Sequence, residues 1–226
     1  MIEFTQGQTL QLTLALAGTS TLIQALETLW IRDSWTDSSG IWRWSDLKAE
    51  FQSFPKPARW ALGLLLQEPG FTLLNLMRIV AALVLLAQPS ELLVSAALGS
   101  ALLGSTLTSL RWRGAFNGGS DSMTLVVLLP LVLSRLPWPN PELATRIALA
   151  YIALQSLLSY FVAGLVKIVE PNWRNGSALG EFLGTPQYGV PVPIRRVASR
   201  PATARLLAWS VMLFELLAPA TLISPT

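Results

Sequence analysis

Few side chains in this 226-residue sequence can do acid–base chemistry, and several of them stand alone in apolar surroundings. Arg78 lies in the middle of NLMRIVAAL and Glu215 in the middle of VMLFELLAPA, while Glu27 sits near the end of the first apolar run. A lone charge in hydrocarbon costs about 2.5–3.5 kcal/mol on insertion scales, so each of these residues calls for a partner. Arg78 with Glu215, or Arg78 with Glu27, would neutralise a pair. Such a pair is either a lock between helices or a proton or substrate site. Lys167 falls where SYFVAGLVKIVEPNWRNGSAL passes from apolar to polar. A lysine there extends to the interface and complements the helix dipole, with Glu170 three residues on as a local partner. It becomes a base only if desolvation brings its pKa toward neutrality. Asp121 follows the turn residues Asn117, Gly118, Gly119 and Ser120 and is placed to cap the next helix.

What is missing narrows the chemistry further. The chain has no cysteine and no histidine, which excludes disulfides, thiol nucleophiles, zinc–thiolate sites, iron–sulfur clusters and haem–imidazole bonds. Acid–base work falls to Lys, Asp, Glu or Tyr. The pI of about 9.7 reflects a small excess of basic residues spread over loops, and nucleic acid is not an expected partner. The amino terminus, MIEFTQGQTLQLTLALAG, has an acidic residue and no basic one before its apolar run, unlike the n-region of a secretory signal.

These residues must be positioned by apolar helices. The composition is 52% hydrophobic and 13% charged, about half the charge of a soluble domain. Apolar runs of roughly bilayer length recur throughout, so the expected fold is an all-α polytopic bundle, with residues 1–226 forming a single transmembrane domain and no soluble domain. Six spans can be marked: Thr9 to Trp30, Phe71 to Ala87, Leu92 to Leu110, Met123 to Leu136, Ala144 to Val166 and Ala204 to Ile223. The first is the least apolar and must hide a polar face against other helices. The fourth is short and contains Pro130. Small residues in SAALGSALLGS would let the third approach a neighbour closely.

The basic residues set an orientation. With six crossings, Arg32, Arg43, Lys48, Lys56, Arg59, Arg111, Arg113, Arg174, Arg195, Arg196 and Arg200 fall on one side, against Arg135 and Arg146 at helix ends on the other. That asymmetry places the long loops in the cytoplasm and both termini outside it. Asp121 and Lys167 then emerge at the same face. The first long loop holds Trp30, Trp35, Trp42, Trp44 and Trp60, and Trp42 to Leu66 reads as one or two helices lying in the interface with the tryptophans as anchors.

The segment YFVAGLVKIVEPNWRNGSAL resembles the signature of the membrane region of vitamin K-dependent gamma-carboxylase and its bacterial relatives, the horizontally transferred transmembrane (HTTM) family. The resemblance is carried by Tyr160, Phe161, Ala163, Gly164, Lys167, Trp173 and Gly176. GEFLGTPQYGVP and LLAWSVMLFELLAPATL continue in the family manner, with looser likenesses at NGGSDSM and WTDSSGIWRW. The resemblance implies a helical membrane bundle in a bacterial inner or intracytoplasmic membrane. It also implies a small quinol- or lipid-dependent enzyme in which Lys167 is the base, with Asp121 or Tyr160 nearby and a quinone or quinol as cofactor. The carboxylase continues through further helices and a large extramembrane domain beyond the point where this chain ends, and it has two adjacent lysines where this chain has one. Its chemistry is also lumenal, whereas Lys167 is placed on the cytoplasmic side. The favoured expectation is therefore a non-catalytic accessory or structural subunit, surrounded by membrane lipids and packed against other membrane-protein subunits.

Overall fold

The computed structural model describes residues 5–36, 40–112, 119–185, 191–198 and 200–222. Among the described residues every regular element is helical. Five helices are long and apolar enough to cross a membrane: α1 (Gln6–Trp30), α5 (Gly70–Ala87), α6 (Glu91–Arg111), α8 (Pro141–Val169) and Pro201–Thr221, which comprises α12 (Pro201–Leu217) and most of a 3₁₀ turn (Ala218–Leu222). The fourth expected span is present as the shorter apolar helix α7 (Gly119–Ser134). The stretch read as interfacial folds as α3 (Trp44–Leu47), a 3₁₀ turn (Lys48–Phe51) and α4 (Lys56–Leu66), after a one-turn α2 (Arg32–Trp35). The short helices α9 (Pro171–Asn175), α10 (Ser177–Gly184) and α11 (Val192–Ala198) precede α12. The expected turn at Asn117 and Gly118, the basic Arg113 and the span end at Ile223 lie outside the described residues.

The chain divides into two compact units, Met1–Ile152 and Ala153–Thr226, the boundary falling inside α8. In the first unit α1, α5, α6 and α7 form a ring in which each packs on two others. Helix α1 starts on a capping box between Thr5 and Gln8, which satisfies two of its free amides reciprocally. Its buried stripe runs Leu14, Ala17, Gly18, Thr21, Gln24, Ala25 and Thr28, the three-to-four spacing of one helix face. Gly18 faces α5 so closely that a Cβ there would lie 2.9 Å from the Ala82 carbonyl oxygen and 3.0 Å from Leu85 Cβ. Ser90 caps α6, its hydroxyl accepting from the Leu93 amide at 3.4 Å. The small residues of α6 pack as expected, with Ala97, Ala101 and Gly104 all buried.

The interior of this unit is layered. One end is aliphatic, built from Leu14, Ala81, Leu85, Leu98, Leu128 and Leu131. The other is aromatic, built from Trp35, Trp44, Phe71, Trp112 and their neighbours. The anchor assignment of the tryptophans holds for exposure only at Trp30, Trp42 and Trp60. Trp35 and Trp44 are buried instead, in a cluster with Phe71 and Trp112 under which Arg111 turns inward. Its guanidinium sits 4.9 Å from the Phe71 ring centroid and within 6 Å of both Trp35 and Trp44, and it donates to the Trp35 carbonyl at 2.7 Å. Desolvated cation–π contacts of this kind contribute about 2 kcal/mol each.

In the second unit α9, α10 and α11 pack on α12, and the end of α8 meets α12 at Gly164. The expected consequence of the tight α1–α5 contact is that Gly18→Val forces the helices apart and destabilises the fold by about 1–3 kcal/mol. Gly99→Ala, at a position where a Cβ meets nothing within 4 Å, should be neutral or slightly stabilising. Thermal unfolding in detergent compares the two.

Candidate functional site

Besides the buried Arg111, the described residues hold two charged centres, one in each unit. In the first, Arg78 is 1% exposed and is held by side chains from three helices. Its guanidinium donates to Asn75 Oδ1 at 3.0 Å, to Thr108 Oγ1 at 3.3 Å and to Gln24 Oε1 at 3.3 Å. Side chains on a helix lean toward its amino terminus, so the arginine reaches back along α5 toward Asn75 and the aromatic end. Asn75 is fixed by donating to the Phe71 carbonyl at 2.8 Å, and Thr108 by donating to the Gly104 carbonyl at 2.8 Å. Gln24 is the hub, since its amide nitrogen also donates to Thr124 Oγ1 at 2.8 Å, and Thr124 meets Ser20 at 2.6 Å. The layer thus joins α1, α5, α6 and α7 through one hydrogen-bond network.

The space for Arg78 comes from Gly104, where a Cβ would stand 2.6 Å from Arg78 Cγ and 3.0 Å from Cδ. Beside the guanidinium lies a cavity of about 10 Å³ lined by Gln24, Thr28, Ser105, Thr108, Trp112 and Asp121 among others, room for about one water. Asp121 is in the first turn of α7. It is not the cap, because the helix already begins at Gly119; its carboxylate complements the amino-terminal end of the dipole and the Arg78 charge together.

The second centre is Lys167, which is ion-paired with Glu215 of α12. The side chains are 21% and 10% exposed, and the ammonium also lies 5.3 Å from the Trp173 ring centroid. The pair is seated by two glycines. At Gly164 a Cβ would come within 3.0 Å of Glu215 Cβ and of Leu216. At Gly176, where φ is +86°, it would come within 2.5 Å of the Arg205 amide, so glycine is required there by both conformation and space. Tyr160 stacks edge-on against Phe214 at 5.8 Å. Tyr160, Gly164 and Lys167 follow i, i+4, i+7 along α8, and all three meet α12.

These placements revise the expected pairings. Glu215 takes Lys167 as its partner, so it does not serve as the counter-ion of Arg78. Glu27 is exposed, and the neutral Gln24, one turn earlier on the buried face, contacts Arg78 in its place. Glu170 is likewise exposed; the partner of Lys167 comes from α12, 48 residues away in sequence. Asp121 belongs to the Arg78 centre in the first unit, whereas Lys167 and Tyr160 belong to the second. Sequence reading missed Gln24, Asn75 and Thr108 as partners. Their one signal was a polar residue at the spacing of a buried face in an otherwise apolar helix. Arg111 carried no such signal, since a helix-end arginine ordinarily faces water. Among the described residues no cluster of acidic side chains could hold a metal ion.

Gly104→Ala should displace the Arg78 stem and destabilise the first unit by about 1–3 kcal/mol. Shortening the intruding side chain with Arg78→Ala in the same chain should make the added methyl group nearly neutral relative to Arg78→Ala alone. A double-mutant cycle on thermal stability reads this coupling.

No protein-family model, no curated protein and no solved structure matches the chain.

Proposed function

We propose that this chain is an integral membrane protein of the HTTM type, related to the membrane region of gamma-carboxylase, and that it serves as a non-catalytic accessory subunit of a larger membrane complex. In this reading α7 is the sixth crossing. Its 16 residues make about 24 Å of helix, short for a hydrocarbon core of about 30 Å, with Pro130 buried in its last third. The positive-inside rule then puts the loops carrying Arg43, Lys48, Lys56 and Arg59 in the cytoplasm.

The observation that carries the subunit reading is the state of α8. Of its most apolar stretch only 6% is buried, against 33–44% for α1, α5 and α6. Its exposed face carries Ile147, Leu154, Leu158 and Val162, and a neighbouring helix from another subunit would cover it. The ion pair supports the same reading, because it ties α8 to α12 through Lys167 and Glu215.

Extraction from the native membrane in mild detergent, followed by sizing and identification of co-migrating chains, tests the proposal. A stoichiometric larger complex is the expected result, and Leu158→Arg on the exposed α8 face should release the chain from it. A chain that runs alone, carries bound quinone and loses a quinol-dependent activity on Glu215-preserving Lys167→Arg substitution would instead establish the enzyme reading.

A further inference from the structure

The short helix α4 carries a feature that neither charged centre explains. Beside it lies a cleft of about 470 Å³ whose walls include Lys48, Lys56 and Arg59 but no carboxylate. All three cations are exposed. One wall is α4 itself: Lys56, Arg59, Trp60 and Gly63 follow i, i+3, i+4, i+7, so they share one face. The other wall brings Lys48, Trp44 and Phe51, with the two rings 5.4 Å apart. Helix α4 begins at the cleft without a side-chain cap and without an acidic residue in its first turn. The amino terminus of a helix carries partial positive charge that favours an anion, and here Pro57 leaves it one amide fewer to offer.

The apolar part of the surface decides what kind of anion fits. Trp60 is 70% exposed and Leu64, one turn on, 55%. A smaller depression of about 300 Å³ continues past Trp60, Gly63 and Leu64 to Pro69 and Glu68, whose carboxylate is paired with Arg32. Gly63 leaves this run open, since a Cβ there would meet nothing within 4 Å. A ligand that uses both parts has a negative head and a hydrocarbon tail. We propose that this cleft binds the phosphate headgroup of an anionic phospholipid, with Lys48, Lys56, Arg59 and the α4 amino terminus holding the phosphate and Trp60 and the Gly63 gap receiving the start of an acyl chain. An 11-residue helix with tryptophan and basic residues is suited to the headgroup boundary, and anionic lipid is concentrated in the cytoplasmic leaflet, where the loop charges place this segment. The proposal requires a bilayer but no partner complex.

The test uses the full chain purified into phosphatidylcholine nanodiscs with or without phosphatidylglycerol, with native mass spectrometry counting the lipid retained on ejection. Retention of phosphatidylglycerol over phosphatidylcholine is expected. The triple variant K48Q/K56Q/R59Q should weaken that retention about a hundredfold, because each basic residue near an anionic surface contributes a factor of about five. Gly63→Leu leaves every charge in place, adds its Cβ where nothing lies within 4 Å and should also reduce retention by closing the gap; it decides the matter if the triple variant does not fold. Equal retention of the two lipids overturns the proposal, as does wild-type retention in the triple variant or in Gly63→Leu. Displacement of phosphatidylglycerol by inorganic phosphate at comparable concentration would make the cleft a site for free anions and overturn the lipid assignment.

Discussion

A charge buried among apolar helices must find its compensation inside the protein, and the first unit is organised around meeting that demand for Arg78. Leaving such a cation uncompensated costs several kcal/mol, far more than any one contact in a marginally stable fold supplies. The compensation comes from Gln24, Asn75 and Thr108, with Asp121 nearby. Because the hydrogen-bonding partners sit on α1, α5 and α6, and Gln24 passes the network on to Thr124 of α7, sliding any one helix by a turn would break it. Aliphatic packing alone specifies register weakly, since one leucine fits a groove much like another. The polar layer between the aliphatic and aromatic ends therefore fixes how the four helices align, and Gly104 is the space that lets the arginine in.

The second unit meets the same demand by a different route. Lys167 and Glu215 neutralise each other, and the residues around them are those that bring α8 and α12 close enough to do so. Gly164 permits the approach, Trp173 covers the ammonium, and Gly176 turns the chain beneath α12 in a conformation that a side chain would oppose. The pattern Tyr160, Gly164, Lys167, Trp173 and Gly176 therefore has a structural explanation that requires no reaction. It describes a corner where a long helix ends, the chain reverses and a later helix packs back on it.

Much of this arrangement was legible in the sequence. The six apolar segments fall within a few residues of α1, α5, α6, α7, α8 and the α12 region, because helix length and apolar content respond directly to the surroundings they are built for. The polar face of α1 was also legible, as was the need for partners at Arg78 and Glu215. Which partners they would take was not. Charge complementarity favoured Arg78 with Glu215 or Glu27, but the position of Glu27 on the exposed face of α1 removes it, whereas Gln24 lies on the buried face. Helical phase could have separated those two. Nothing local could have shown that Glu215 packs on Lys167, since that contact depends on the reversal through α9 and α10. Arg111 was hidden for a related reason: its inward turn is set by Trp35 and Trp44, which reach it from a separate loop.

In the proposed reading Lys167 is a structural tie that neutralises Glu215. A double-mutant cycle with the near-isosteric pair Lys167→Met and Glu215→Leu, read as unfolding free energy in detergent, tests it most directly. Each single variant should be destabilised by about 3 kcal/mol, because it strands the other charge, and the double variant should recover most of that loss, with a coupling above about 1 kcal/mol. Additive effects, or a Lys167→Met chain as stable as the original, would contradict the account and leave the lysine free for chemistry.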